Sequence, residues 1–342
     1  MSTLYVGLEQ GLVQAPLNGG ASFHWSFRGA PVQSIAVDPL VPNRVYAATL
    51  GEGLWRTDDA GETWERAGKG IASPCTWVVA VSRCDRASDA GAVYVGTELS
   101  ALYRSTDAGA SFEELPALAE HPSRREWSFP PAPDTHHLHS IALDVTDPEI
   151  VLCGIELGGV LRSTDRGKSF EQTDADPDPH TLRTHPFAPA RMYEGGGTSF
   201  VESRDHGATW ERLLDGIPDE IRYFFSFEVD PGDPDTMVIS AAKDPFSGHA
   251  VPLPGFDPWS TLYRRTAGAA WQEVTDGLPA REGTAMGTLV TSPALPGVFS
   301  YVTVPGALFR SGDGGASWRE LACEWPAEAT ARKVAAAAIG GW

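Results

Sequence analysis

The octapeptide Thr57-Asp58-Asp59-Ala60-Gly61-Glu62-Thr63-Trp64 constrains this chain more than any other stretch, because it keeps coming back. Near copies run from Ser105 to Phe112, Ser163 to Phe170, Ser203 to Trp210 and Ser311 to Trp318. Worn copies occupy Asn18 to Phe23 and Thr266 to Trp271. The shared pattern is Ser/Thr-x-Asp-x-Gly-x-Ser/Thr-aromatic, and each part has a physical job. The carboxylate accepts backbone N–H bonds inside its own turn. The glycine supplies a position open to positive φ. The Ser/Thr bonds back to the turn, and the aromatic buries itself between neighbouring elements. A turn that recurs roughly every 40 to 60 residues marks copies of one supersecondary unit, each burying its apolar face only against its neighbours.

Around each copy the sequence reads in one order. An inner strand A ends in a turn, as in Ser34 to Pro39. Strand B resembles Val93 to Thr97 and strand C resembles Ala101 to Ser105. The repeated turn follows, then a short strand D such as Trp64 to Arg66. Seven copies predict an all-β, seven-bladed propeller with four strands per blade. The first copy lacks strand A, while Val334 to Gly340 is an A-like segment standing alone at the other end. Alanine also favours helix, but the repeat count favours a strand that closes the ring. Residues 1–342 then form a single propeller whose first blade combines residues 3–26 with 333–340.

The repeated pattern resembles the Asp-box, or bacterial neuraminidase repeat. Over nearly its whole length the chain is similar to bacterial sialidase-like and glycosyl-hydrolase-like repeat proteins. The resemblance implies a propeller with an Asp-box at each C–D turn. It specifies activity less closely, since sialidases, xyloglucanases, sortilin-type receptors and photosystem assembly factors all carry the repeat. Sialidases bind a carboxylate with three arginines and open on an Arg-Ile-Pro segment. No such segment precedes the first full blade, and Arg28, Arg183 and Arg222 do not match that triad by sequence. Xyloglucanases of this type use two propellers and the cleft between them, whereas this chain carries the repeats of one.

Composition narrows the partners. With 36 glycines, 27 prolines and 11 tryptophans, the chain suits many turns and short aromatic-bearing strands. A formal net charge of −19 opposes a phosphate backbone or an anionic membrane as partner. No apolar run approaches the length of a membrane span, and nothing before Tyr5 resembles a signal peptide. Cys75, Cys84, Cys153 and Cys323 form no close pair, which predicts reduced thiols in a cytoplasmic protein. The oligomeric state is not specified.

Three insertions interrupt the repeat: Asp85 to Gly91, Pro116 to His137, and Lys243 to Ser260. Antiparallel order puts the last two on one face, opposite the repeated turns. Long loops on a rigid scaffold carry function. Aligning the inner strands gives a column of Gln33, Trp77, His139, His180, Phe225 and Gly287 at that face. Further down lie Ala36, Ala80, Ala142, Arg183, Glu228 and Val290. Arg183 and Glu228 should therefore meet in the channel. They would act either as a ligand-orienting cation beside a catalytic acid/base or as an ion pair bridging blades. His137, His139 and His180, with Glu156 on a B–C turn, suit a divalent transition metal such as zinc, iron or copper. Otherwise they are histidines on a loop rim. Trp77, Trp127, Phe129 and Phe225, with Glu98 nearby, are candidate ligand contacts. Such aromatics either stack on sugars or pack the loops down.

The chain is thus expected to bind a small or carbohydrate-like ligand at the channel mouth opposite the Asp-boxes, as a glycosidase-like or metal-dependent enzyme. The alternative is a non-catalytic interaction or assembly scaffold.

Overall fold

The computed structural model describes residues 2–17, 21–86, 90–129, 135–249, 255, 257–303, 306–329 and 334–341. Asn18 and residue 333 at the start of the expected closing strand lie outside the described residues. The strands form seven four-stranded antiparallel sheets arranged as the blades of a propeller. Blades two to seven take their inner strands, in order, from Val32–Val37, Thr76–Arg86, Leu138–Leu143, Pro179–Thr184, Tyr223–Asp230 and Thr288–Val290. Blade one takes its inner strand from the far end of the chain. Val334–Gly340 pairs antiparallel with Thr3–Leu8, followed outward by Gly11–Pro16 and His24–Arg28. The alanines of this strand therefore serve as small inner-strand residues and not as helix formers: tertiary pairing overrides propensity.

Closure has a second stitch that the repeat pattern did not announce. Cys323–Glu324, just past the last blade, pairs in parallel with Ala21–Ser22 of blade one, and Phe23 stacks on Trp325 at 3.9 Å. The Asp85 to Gly91 insertion also differs from a separate loop. The strands of blade three extend into it, with Gly91 opposite Arg86.

The core lies between blades. Tyr46 and Leu54 of blade two pack on Val93, Tyr103 and Phe112 of blade three, and Tyr94 and Leu102 pack on Val151, Ile155 and Leu161 of blade four. Strands buried on both faces read as continuous apolar runs, as Val45–Thr49 and Val151–Ile155 do.

The repeated turns are built alike. At Thr57, the hydroxyl donates to Asp59 Oδ1 (2.6 Å) and accepts from the Gly61 N–H (2.9 Å). Asp59 then accepts the Thr63 N–H and hydroxyl at 2.9 and 2.6 Å. The same four bonds recur around Asp107, Asp165, Asp205 and Asp313. At Thr266, which lacks the carboxylate, the turn keeps the Ala269 N–H to Thr266 carbonyl bond at 3.0 Å. Two consecutive residues have positive φ, as at Ala108 (57°) and Gly109 (83°). The second must be glycine where the previous blade comes close: a Cβ on Gly315 would lie 2.3 Å from Val238 Cγ2.

Partial burial pushes the Asp107, Asp205 and Asp313 carboxyls up, but their hydroxyl and N–H donors outweigh it and hold them at about 2. At Asp59 the Thr57 hydroxyl leads, with the same result of about 2. A carboxyl lowered by folding stabilises the native state fully above its unfolded value of about 3.9, and that contribution disappears as pH falls through about 2. The denaturant midpoint should therefore drop between about pH 5 and pH 2, and drop less in Asp107→Asn. Asp107→Ala should cost about 1 kcal/mol, because the Ser111 N–H it leaves behind is exposed to water. Removing residues from Val334 onward should lower the thermal midpoint sharply and produce aggregates in light scattering, since the edge of the Thr3–Leu8 strand is bared. An unchanged midpoint would refute this account of closure.

Candidate functional site

The chain enters the inner strand of blade four through His136 and His137. The Leu99 N–H donates to the His136 carbonyl at 2.7 Å, and His137 bridges Glu98 through the backbone. The long loop is thereby tied to the B–C turn of blade three. One residue further on, the register slips. Leu138 pairs with Ile155 and Ser140 with Gly154, so His139 is an extra, bulged residue. The same slip falls at Gln33, Trp77, His180 and Phe225. A β-bulge re-aims the extra side chain. The column that alignment places at the channel mouth is thus a ring of bulges. Gln33, His139, His180 and Phe225 line a central channel of about 440 Å³ together with Arg183, Glu228 and the closing strand.

At this mouth the structure brings His137, His139, His180 and Glu156 together. Glu156 Oε2 accepts a short hydrogen bond from His137 Nε2 and lies 3.9 Å from His139 Nε2. Its Oε1 lies 4.0 Å from His180 Nε2. His139 Nδ1 donates to the His180 carbonyl at 2.7 Å, which leaves Nε2 as the lone-pair nitrogen of the neutral ring, turned toward the carboxylate. Burial pushes Glu156 up, but the His137 hydrogen bond and the three imidazoles outweigh it and bring the carboxyl to about 2. A carboxylate facing several imidazole nitrogens suits a shared cation, either protons on the rings or a metal. His137 stacks on Trp77 at 3.5 Å, and Phe129 lies 5.0 Å away, tilted.

Three members escaped the sequence reading. Asp178 Oδ2 lies 3.6 Å from His180 Nε2, and burial pushes this carboxyl up. The Tyr223 ring meets His180 edge-on at 5.0 Å, and its hydroxyl is 2.7 Å from His249 Nε2, delivered by the Lys243 to Ser260 insertion. Burial and the Glu156 and Asp178 charges push the Tyr223 phenol well up, so it stays a donor. The signal was available. His137 stands two residues before its bulge, and Asp178 and Tyr223 occupy that same place in blades five and six.

Other candidates take different places. Trp127, expected on the rim, is only 4% exposed. It packs in the core with Leu118 and Ile155, and its Nε1 donates to Ser123 Oγ at 3.1 Å, so it pins the loop and offers no ring face to a ligand. Glu98 contributes its backbone beside His137, while its carboxylate is outside both groups of converging ligand atoms among the described residues. His136 bonds Ser100 Oγ at 2.9 Å, and burial and Arg124 push its pKa down to about 4. His185 sits at the far end of its strand, its Nε2 2.9 Å from the Asp230 carbonyl.

Arg183 and Glu228 meet in the channel. Both Arg183 Nε and Nη2 reach Glu228 Oε1 at 2.9 Å, and Thr291 Oγ1 donates to Oε2 at 3.0 Å. This ties blades five, six and seven together. The sequence left Glu228 and Arg183 as either a catalytic pair or an ion pair bridging blades. The geometry occupies both carboxylate oxygens with protein donors, which is the arrangement of an inter-blade tie.

No protein-family model and no curated protein matches the chain. Solved structures do share the architecture, so the chain belongs to the class of seven-bladed propellers. An ancestral GH74 enzyme aligns at 20% identity and TM-score 0.63 over 87% of this chain and 37% of its own. The GH74 xyloglucanase from Xanthomonas campestris aligns at 20% and 0.63, over 86% and 45%. YCF48 bound to D1 peptide aligns at 14% and 0.58, over 90% and 87%. The chain therefore spans less than half the length of these GH74 chains and nearly the whole of YCF48. No helix among the described residues is long and apolar enough to cross a membrane.

Glu228→Gln should lower stability by about 1 kcal/mol, a modest figure because the Arg183 side chain is 39% exposed. Denaturant titration measures this. Ligand or metal binding at the mouth should be unchanged, and loss of binding with intact stability would return a direct role to the pair.

Proposed function

We propose that the chain binds a divalent transition metal at the channel mouth through His137, His139, His180 and Glu156, and through it an oxygen-bearing small or carbohydrate-like ligand. The observation that carries this reading is the Glu156 carboxylate set among three imidazoles, with the His139 tautomer fixed by a backbone carbonyl. A ligating histidine that donates its second nitrogen to a carbonyl is the usual support of a metal site. A cation held there polarises a bound water or ligand oxygen. Trp77 and Phe225 supply apolar ring surface beside it, suited to stacking on a sugar. The fold shared with GH74 enzymes supports a carbohydrate-like ligand, and the four unpaired thiols suit a reducing cytoplasm.

The test is elemental analysis after incubation with zinc, iron and copper and desalting. Wild type should retain metal, and a variant combining His139→Ala with His180→Ala should lose it while keeping its circular dichroism and melting profile. Metal-free wild type would end this reading.

A second reading is favoured by size. YCF48, a propeller of nearly the same extent, was solved with a peptide bound. A non-catalytic scaffold that docks an extended peptide across the loops of the same face is the outcome to pursue if no metal is retained.

A further inference from the structure

The geometry points to a site for two divalent cations at the channel mouth, bridged by Glu156. This inference rests on the metal-binding reading above and goes beyond it in number and in the role of Asp178. The converging ligand atoms fall into two groups of three, each with all its atoms within 4.8 Å of one another. One group is His137, His139 and Glu156, and the other is Glu156, Asp178 and His180. Glu156 alone belongs to both.

The division runs through the carboxylate itself. Its Oε2 faces His137 and His139, and its Oε1 faces His180. A carboxylate whose two oxygens point at different nitrogen sets can bind two cations, one on each oxygen. A single cation would draw all the donors toward one oxygen. Each half also has the mixed nitrogen and oxygen donors that suit zinc, manganese, iron or cobalt and give soft ions no thiolate.

The halves are held apart by the fold. His137 and His139 belong to blade four, on either side of Leu138, while Asp178 and His180 flank Pro179 in blade five. Glu156 stands on the B–C turn of blade four. The turn is anchored to Asp178 by the Leu157 N–H, which donates to Asp178 Oδ1 at 3.2 Å and leaves Oδ2 turned toward His180. Asp178 is thus oriented by one oxygen and offers the other. Across the seam, the bond from His139 Nδ1 to the His180 carbonyl fixes the spacing of the two bulges that carry the imidazoles. The His180 side chain is 3% exposed, and its Nδ1 has no hydrogen-bond partner among the described residues, so nothing competes to turn Nε2 away from the carboxylates.

The test uses the full chain, stripped with a chelator and titrated with zinc, with stoichiometry read by calorimetry and by elemental analysis after desalting. Wild type should take up two equivalents. Asp178→Asn should lose the blade-five cation and keep one equivalent, as should His137→Ala for the blade-four cation. Glu156→Ala should bind at most one, weakly. Substituting manganese should give wild type a spin-coupled electron paramagnetic resonance spectrum, replaced by the six-line signal of an isolated ion in Asp178→Asn. Thermal melting of each variant guards against loss of fold. One equivalent in wild type overturns the two-cation site and leaves the metal-binding reading standing. No bound metal overturns both. Two equivalents that persist in Glu156→Ala overturn the bridge, because the two ions then do not depend on the shared carboxylate.

Discussion

A four-stranded blade has two faces and no core of its own, so everything in this molecule depends on how one blade bonds to the next. Apolar packing supplies most of that adhesion, and a recurrent polar contact sets its register. The Tyr5 hydroxyl donates to the Ala60 carbonyl and that of Tyr46 to the Ala108 carbonyl, each reaching from one blade into the repeated turn of the next. Arg56, Arg162 and Arg264 make the same reach to Ala108, His206 and Gly314. The accepting residue in each turn has positive φ, which directs its carbonyl at the preceding blade. Burial pushes the Tyr5 phenol up to about 12 and those of Tyr46 and Tyr94 higher, so these hydroxyls remain donors at any ordinary pH. The repeated turn is therefore a receptor for its neighbour as well as a link between strands. This is why its glycine and carboxylate recur while the loops on the opposite face vary.

With blade spacing fixed on the turn side, the opposite face is available for variation. There the inner strands carry a bulge in six blades, Ala335 being the extra residue in blade one, and the bulged residues stand around one mouth. Small or uncharged residues at a bulge leave the channel open. Imidazoles in two adjacent blades, with a glutamate on the turn beside them, make a polar pocket. The long loop between blades three and four runs beside it. It is held by Trp127 in the core and by Phe129 beside His137.

Much of this was legible in the sequence, for a physical reason. The turn requires a particular Asp, Gly and hydroxyl at fixed offsets, so its copies announce blade number and strand order even where the strands share few residues. The closing strand followed from an unpaired first repeat. The column alignment placed Arg183 beside Glu228 and His139 beside His180, because equivalent inner-strand positions in adjacent blades are neighbours in space. What stayed hidden depends on tertiary packing. Trp127 has the composition of an exposed loop aromatic, and only the neighbouring Leu118 and Ile155 bury it. Asp178 sits in a stretch of alternating aspartate and proline that reads as a turn, although it occupies the same place as His137. The parallel pairing of Cys323–Glu324 has no repeat partner from which to be inferred.

The channel holds two polar clusters, and the difference between them locates the chemistry. Arg183 and Glu228 have opposite charges, two guanidinium nitrogens meet Oε1 and Thr291 supplies the donor to Oε2, so the carboxylate is satisfied from protein alone. The cluster at the mouth is not complete in that sense. It sets two carboxylates against three imidazoles, of which His139 has its tautomer fixed by the backbone, and no Arg or Lys forms an ion pair with Glu156 or Asp178 among the described residues. Behind it, Glu194 is fully buried, neither carboxylate oxygen has a close hydrogen-bond partner among the described residues, and burial followed by the Asp176 and Asp178 charges pushes its pKa well up. A carboxyl held protonated in a low-dielectric wall carries no charge, so Glu194 adds none to that of Glu156 and Asp178. The metal proposed for the mouth would satisfy the nitrogen and carboxylate donors together. Within one channel, then, the self-neutralised pair ties the blades, and the mouth cluster is the one on which the proposed metal site rests.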